Sequence, residues 1–481
     1  MNDYKLFMQR IGLVGITNIL IALSSLILLP IITKSFSIGD YGVWVQFNTT
    51  IALIPNLATL GLPYTMVRFL SAEKNKKKIQ ESFYSITIMV FASSFVISTI
   101  MFFFSKDIAS TLFNNDVNLT ILLSIIIFLA CLNSLLLNFF RTLQQMKRYS
   151  IFLLIQTYLG VFIVSYFAIN GLGIYMAALG LLIATLITFF IMITFIISNI
   201  GVKIPKFRNI RKYLSFGIPT IPGNLSSWVV DSSDRYIIGI FLSTVFVGYY
   251  SPGYTLGNII IMIVAPFSLL LPSILPGFYD NGEIEKVKTF LRYSLKYFFL
   301  IAIPSTFGLS LLSKPLLMLL TTPEIALNGY IITPFIAVSA LIYGAYAIIS
   351  NVLILEKKTK ILGTIWIIAA ILNLVFNIIL VPYFGIIGAA AVTLVSFIIA
   401  FYVTLVYSNK YFHVELELTF ILKSVLASVL MSMLIFIINP HGIIQILTTI
   451  LICSGSYLAL IIVLSGIKKE EILFFKNMIN S

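Results

Sequence analysis

Long apolar runs broken by short polar turns make up nearly the whole chain, and most runs are apolar on every side instead of along one stripe. A helix needs ~20 apolar residues to cross the ~30 Å hydrocarbon core of a bilayer. On that measure the sequence predicts fourteen spans: 11–33, 43–66, 83–104, 119–140, 149–169, 172–199, 214–241, 246–271, 294–312, 328–351, 361–382, 385–407, 420–438 and 443–465. The polar connections are short, the longest outer ones falling near 105–118 and 313–327.

Composition agrees with the pattern. Of 481 residues, 59% are hydrophobic and 10% charged, against about 25% charged in soluble domains. The class is an all-α polytopic membrane protein. The net charge of +14 suggests nucleic acid only until the bases are located. With the N-terminus inside, 27 of the 31 Lys and Arg fall on predicted inner segments, and only Lys34, Lys106 and Lys314 fall outside. That asymmetry follows the positive-inside rule and places both termini in the cytoplasm. The surplus is a topology signal, with anionic lipid headgroups as secondary partners and no nucleic acid. No cleavable leader is expected before the first span.

Enzyme and cofactor signatures are absent from the sequence. His413 and His441 fall in loops on opposite sides of the membrane, so no shared metal site is expected. No G-x-x-x-x-G-K-[ST] phosphate loop occurs. Cys131 and Cys453 sit inside apolar spans and read as small buried hydrophobes, without a disulfide.

The seventh span breaks the apolar rule. Trp228-Val-Val-Asp231-Ser-Ser-Asp234-Arg235-Tyr236 carries two acids and a base where every other span is uncharged through its middle. One charge near the bilayer centre costs at least ~2.5–3.5 kcal/mol on insertion scales. Asn224, Ser227, Asp231, Asp234 and Arg235 recur at three- and four-residue spacing and so share a helix face. Asp231 and Arg235, four apart with the acid first, are spaced to pair. Asp234 is then left over as a candidate to bind a proton or cation. The competing reading is a charge network that pins one helix to its neighbours. Pro219, Pro222 and Gly223 precede the cluster, and proline removes a helical hydrogen bond, so this span should be kinked or broken.

Uncharged polar stripes mark other spans. Thr17, Asn18, Ser24 and Ser25 fall on one face of the first helix, and Gln46, Thr49, Thr50 and Asn56 on one face of the second. Asn373 and Asn377 form a shorter stripe on the eleventh. Such residues either line a wet cavity or join helices by hydrogen bonds, worth ~0.6 kcal/mol on average.

The chain also resembles itself at an offset of about two hundred residues. Ile31-Ile32, Phe36-Ser37 and Gly42 correspond to Ile237-Ile238, Leu242-Ser243 and Gly248. Leu62-Pro63 corresponds to Leu271-Pro272, Ser105-Lys106 to Ser313-Lys314, and Gly173-Ile174-x-x-Ala177-Ala178 to Gly385-Ile386-x-x-Ala389-Ala390. Six spans per unit make the copies parallel, with a site expected between them. The domain reading is two six-helix lobes, 1–202 and 203–410, and a third segment, 411–481, with two further helices and a tail.

Six, six and two spans, with Asp234-Arg235-Tyr236-Ile237-Ile238-Gly239, Val247-Gly248-Tyr249-Tyr250-Ser251 and the earlier Gly39-Asp40-Tyr41-Gly42, resemble the polysaccharide-transporter branch of the multidrug/oligosaccharidyl-lipid/polysaccharide exporter superfamily, with its Wzx-type flippases. The resemblance implies movement of a polyprenyl-pyrophosphate-linked oligosaccharide, such as an O-antigen or capsule unit, across the bacterial inner membrane by alternating access. The charge cluster itself adds an expected H+ or Na+ coupling site at Asp231, Asp234 and Arg235, and other polysaccharide-assembly proteins are expected partners. Asn18, Ser25, Gln46, Thr49, Asn56, Asn224, Ser227, Asn373 and Asn377 would then line the cavity. Arg10, Arg68 and Arg292, at inner helix ends, would meet the pyrophosphate, unless they serve only as positive-inside anchors. A cation-coupled multidrug exporter of the same superfamily is the alternative. A membrane glycosyltransferase or polymerase fits less well, because no large outer loop is present.

Overall fold

A computed structural model describes residues 2–466, with side chains from residue 12 onward. Every regular element among the described residues is a helix, with no strand among them. Among the described residues eleven helices are long and apolar enough to cross a membrane, or twelve if the pair Ile38–Ala58 and Leu62–Leu70, bent by 54°, counts as one span. The chain is a multi-pass membrane protein. The tail carrying Lys468 to Lys476, placed inside by the charge pattern, lies outside the described residues.

Local sequence sets where the helices start and bend. Ser37 caps Ile38–Ala58, its Oγ accepting from the Asp40 N–H at 3.1 Å while donating to the Asp40 carboxylate at 2.7 Å. Asn75 caps Lys76–Phe103, and Asp116 caps Val117–Thr142. Gly61, at φ 66°, turns the chain at the 54° bend, a conformation that favours glycine. Gly385, at φ 60°, breaks the 50-residue run Thr359–Ser408 into two helices where the sequence separates spans 361–382 and 385–407. Two departures from expectation are elongations. The outer connection near 105–118 contains the helix Ser105–Leu112, and the ninth predicted span extends over Ile284–Leu320.

By packing, the chain forms two compact units, residues 1–251 with 366–389, and residues 252–365 with 390–481. These packing units group helices differently from the sequence repeat, since segments 210–251 and 366–389 of the second repeat pack within the first unit. In the first unit Val117–Thr142 is the central helix, 72% buried over its apolar window. Around it Phe83 packs tilted against Phe139, with ring centroids 4.7 Å apart, and Phe140 stacks against Phe152 at 4.8 Å. In the second unit Phe298 fills the space left by Gly344, where a Cβ would lie 2.1 Å from the ring. Leu418–Ile438 and Ile443–Val463 cover part of Ile284–Leu320 and present Leu422, Ile437 and Ile444 outward. In a bilayer such exposed apolar faces meet lipid.

One close approach lies within the first unit. A Cβ on Gly42 would fall 1.8 Å from the Thr244 carbonyl oxygen, and a Cβ on Gly248 would fall 2.5 Å from that of Ile38. The starts of helices Ile38–Ala58 and Thr244–Gly257 therefore touch backbone to backbone. Asn114 donates to the Thr244 hydroxyl at 3.1 Å beside this contact.

Candidate functional site

The segment expected as the seventh span is broken twice. Pro219 falls in the 3-10 turn Ile218–Thr220, and Pro222 stands in the first turn of Ile221–Ser232, where its missing N–H leaves no helical bond unmade. This helix stops at Ser232, and another begins at Asp234 and runs to Phe241. At the joint the Arg235 N–H binds the Asp234 carboxylate at 2.9 Å in place of a helical carbonyl. Asp234 is only 1% exposed, and Arg235 9%.

Here the pairing read from the sequence needs correction. Arg235 Nη1 binds Asp234 Oδ1 at 2.8 Å, while from Asp231 it takes the main-chain carbonyl oxygen. The Tyr250 hydroxyl donates to the other Asp234 oxygen, and the Arg235 guanidinium lies 5.8 Å from the Tyr250 ring centroid. Asp231 itself has an exposed side chain. The four-residue rule presumes one continuous helix, and the break between Ser232 and Asp234 removes that premise. Both carboxylate oxygens of Asp234 are engaged, by a cation and by a phenol. Tyr250 belongs to the Gly-Tyr-Tyr motif and lies sixteen residues from Asp234, a separation that no helical spacing rule connects.

Several residues expected in a cavity instead hold this broken segment. The Gln46 amide donates to the Arg235 carbonyl oxygen at 3.3 Å, and Thr50 bonds the Tyr236 hydroxyl at 2.6 Å. A Cβ on Gly239 would lie 1.8 Å from Gln46 Nε2, so only glycine leaves that amide its place. Asn373 Oδ1 accepts from Ser233 at 3.3 Å and from Asn377 at 3.0 Å, which ties the joint to the helix that carries both asparagines.

The other polar residues of the stripes separate. Thr17 and Ser24 are buried and donate to Leu13 and Ile21 carbonyls of their own helix, while Asn18 and Ser25 are exposed. Thr49 donates to Val45 and Asn56 to Ala52, again within one helix. Asn224 and Ser227 are exposed, and Ser227 donates to Gly223.

A cavity of about 570 Å³ opens within the first unit. Ser25, Asn48, Ser134, Asn138, Gln156 and Thr157 give it hydroxyl and amide groups, and Trp44 and Tyr149 give it aromatic surface. Of the expected cavity residues, only Ser25 lies here. Gln156 Oε1 is buried without a hydrogen-bond partner among the described residues, and such an atom costs ~1–3 kcal/mol. A polar ligand would relieve that cost. Asn138 lies four residues after Ser134, and Gln156 beside Thr157, so polar positions inside the fourth and fifth predicted spans were the signal that was passed over.

Of the three expected phosphate contacts, Arg10 lies outside the residues whose side chains are described. Arg68 is exposed at the end of Leu62–Leu70. Arg292 is engaged by Glu415 at 3.2 Å and Glu417 at 3.5 Å, and Glu417 also takes Lys296 at 3.0 Å. Among the described residues no cluster of His, Cys, Asp and Glu is arranged to hold a metal ion.

The sequence matches the family described as polysaccharide biosynthesis protein over residues 7–275, and that described as MatE over residues 219–379. A probable low-salt glycan biosynthesis flippase, Agl15 of Haloferax volcanii, is 22% identical over 284 residues, which cover 58% of this chain and 59% of that protein. A probable flippase, AglR of the same organism, is 27% identical over 175 residues, 35% of each chain. The chain thus spans well under two thirds of either relative. Among solved structures, the lipid II flippase MurJ in an inward closed conformation superposes with a TM-score of 0.76 at 19% identity, covering 98% of this chain and 99% of that one. An inward-facing MATE family multidrug transporter gives 0.68 at 15% identity, covering 81% and 94%. These likenesses show the fold.

Proposed function

The chain belongs to the polysaccharide biosynthesis protein family, and on that premise we propose that it is a flippase for a lipid-linked oligosaccharide, a transporter and not an enzyme. The observation that carries the reading is the cavity in the first unit. It offers hydroxyl and amide groups beside two aromatic rings, with one buried amide oxygen lacking a partner. Sugars present many hydroxyls and apolar ring faces, and that lining suits them. Among the described residues no charged side chain lines this cavity, so it fits the neutral glycan better than the pyrophosphate. The flippases among the relatives and the likeness to MurJ support the same cargo class.

Finer statements extend this reading. The membrane is a cytoplasmic membrane, the cargo a polyprenyl-pyrophosphate-linked repeat unit, and movement proceeds by alternating access of two six-span lobes. The count of fourteen spans rests on taking the bent pair Ile38–Ala58 and Leu62–Leu70 as one crossing, on the break at Gly385, and on taking the broken segment 210–241 as one crossing. Coupling to a cation is assigned to Asp234, because one proton there would loosen the bonds from both Arg235 and Tyr250. Arg68 and Arg10 stand as pyrophosphate contacts at the basic face.

The test is transbilayer movement in reconstituted vesicles. Lipid-linked oligosaccharide is incorporated with the purified chain, and its accessibility to an added impermeant glycosidase is followed with time. Complete hydrolysis is expected with the chain present, and about half in protein-free vesicles, because only outer-leaflet glycan is reached. Equal plateaus in both preparations would refute the reading.

A further inference from the structure

Between the helix Lys76–Phe103 and the segment 201–213 lies a second cavity of about 580 Å³ in the first unit, unconnected with the glycan cavity in its lining. Six bases and two acids line it. Glu73 pairs with Lys78 at 3.7 Å and Glu81 with Lys203 at 3.6 Å. Lys77, Lys206, Arg208 and Lys212 have no carboxylate partner among the described residues, which leaves the cavity with an excess of four positive charges.

The walls are built, not incidental. The segment after Gly201 is laced onto the helix by Gln80 to the Ile200 carbonyl at 2.7 Å, Tyr84 to the Gly201 carbonyl at 2.6 Å, and Lys203 Nζ to the Lys77 carbonyl at 3.1 Å. At the back Tyr213 is buried, bonded to Ser82 at 2.8 Å, and its ring lies 5.7 Å from Phe69. Lys212 sits 4.9 Å from the Phe69 ring centroid. These contacts fix the backbone that carries the unpaired bases.

The surroundings indicate what the charge meets. Val202 and Ile204 are 73% and 87% exposed and flank Lys203 on the non-helical stretch beside the cavity. Apolar side chains held out next to bases suit a membrane interface, where the former enter the acyl region and the latter meet phosphate. Basic pockets at the cytoplasmic ends of transmembrane helices are a recurrent way to hold lipid headgroups.

We propose that this cavity binds the phosphate of an anionic lipid in the leaflet facing the basic loops, with Lys206, Arg208 and Lys212 as the principal contacts. Of the arginines named for the cargo, neither Arg68 nor Arg292 lines the site. Two lipids carry the required group, a phosphatidylglycerol-type phospholipid and a polyprenyl pyrophosphate, and the same chemistry serves both.

The full chain, purified in a neutral detergent, is titrated with fluorescently labelled phosphatidylglycerol and with labelled phosphatidylcholine. Wild type should bind the anionic probe more tightly, and raising salt from about 50 to about 300 mM should weaken that binding through screening. The triple variant K206Q/R208Q/K212Q should lose about ten-fold or more in affinity. A control triple variant, K357Q/K358Q/K360Q, removes as much charge from another basic loop and should change less than about two-fold. Competition by unlabelled polyprenyl pyrophosphate, lost in the site variant, would add the prenyl lipid to the ligands of the site. If only that lipid binds, and the site variant loses it, the phosphate comes from the prenyl lipid alone. Equal binding of the two phospholipid probes without prenyl-lipid binding at the site overturns the proposal. So does a site variant that binds as wild type, or a control variant that loses as much. Because all three substitutions lie at exposed positions, unchanged thermal unfolding of the variant should accompany its loss of binding.

Discussion

Gly42 and Gly248 occupy equivalent places in the two sequence repeats, and in the folded chain each presses its missing side chain against the other's helix start. The contact is reciprocal, with Gly42 against Thr244 and Gly248 against Ile38. A match first visible as a repeat is thus also a packing rule, since either segment can approach only if both positions lack a Cβ.

Substituting Gly42→Ala should therefore force the two helix starts apart. Overpacking of this kind costs ~1–3 kcal/mol. Gly39→Ala, three residues earlier, meets only ordinary contacts at 3.7 Å and is the control. A cysteine placed at Asn114, which bonds Thr244 at this contact, should react faster with an impermeant maleimide in Gly42→Ala than in Gly39→Ala. Native Cys131 and Cys453 are both buried, so background labelling is low. Equal labelling rates in the two variants would mean that the contact does not close this end of the unit.

Much of the helix plan was legible in the chain because the cues are local. Apolar run length marks the helices, Pro219 marks the 3-10 turn and Gly385 the break within the longest helix. The polar residues were harder to place, for a physical reason. A serine or threonine in an apolar helix can satisfy its hydroxyl on the carbonyl one turn back, as Thr17, Thr49 and Thr50 do, and then it reports nothing about a cavity. The partner of Arg235 was misread for another reason. Residue spacing predicts neighbours only on a continuous helix, and the joint at Ser233 puts Asp234 where Asp231 was expected. Tyr250, the second partner, is sixteen residues away, beyond any periodicity rule.

The cavity in the first unit predicts a split between neighbouring polar residues. Gln156→Leu keeps the volume and removes the buried unpartnered oxygen, so the chain should be as stable as wild type, or more so, while glycan movement falls. Thermal unfolding and the glycosidase assay measure the two effects separately. Thr50→Val removes the bond to Tyr236 and should instead lower stability by ~1 kcal/mol. Gln156→Leu with normal transport would exclude this cavity as the glycan site.

Topology is checked by reporter fusions. Insertions at Asn115, Thr322 and His441 should read outside, and those at Lys77, Arg208 and Lys358 inside, if 27 of 31 bases set the orientation. Arg208 and Lys358 on opposite sides would mean that the number of crossings between them is odd, and the count of fourteen would fail.

The Asp234–Arg235 pair allows a sharper separation of structure from function than any single substitution. Arg235→Ala leaves a buried carboxylate held only by neutral donors, the Tyr250 hydroxyl and the main-chain N–H of residue 235, and breaking a buried pair from one side typically costs ~3–5 kcal/mol. Membrane abundance should drop, and loss of transport in that variant would say little about mechanism. The double variant Asp234→Asn/Arg235→Ala removes both charges and should restore abundance, because no uncompensated ion remains. If the pair only pins the broken segment, transport returns with abundance. If Asp234 carries the coupling proton, abundance returns but acceleration by an imposed pH gradient does not. Tyr250→Phe provides the intermediate case. It removes one donor and leaves the ion pair, so a coupling site should keep its response to the gradient with an altered pH dependence, while a purely structural pair should show reduced abundance and an unchanged pH profile. Wild-type response to the gradient in the double variant would remove Asp234 from the coupling mechanism and leave the pair a structural clasp on the seventh segment.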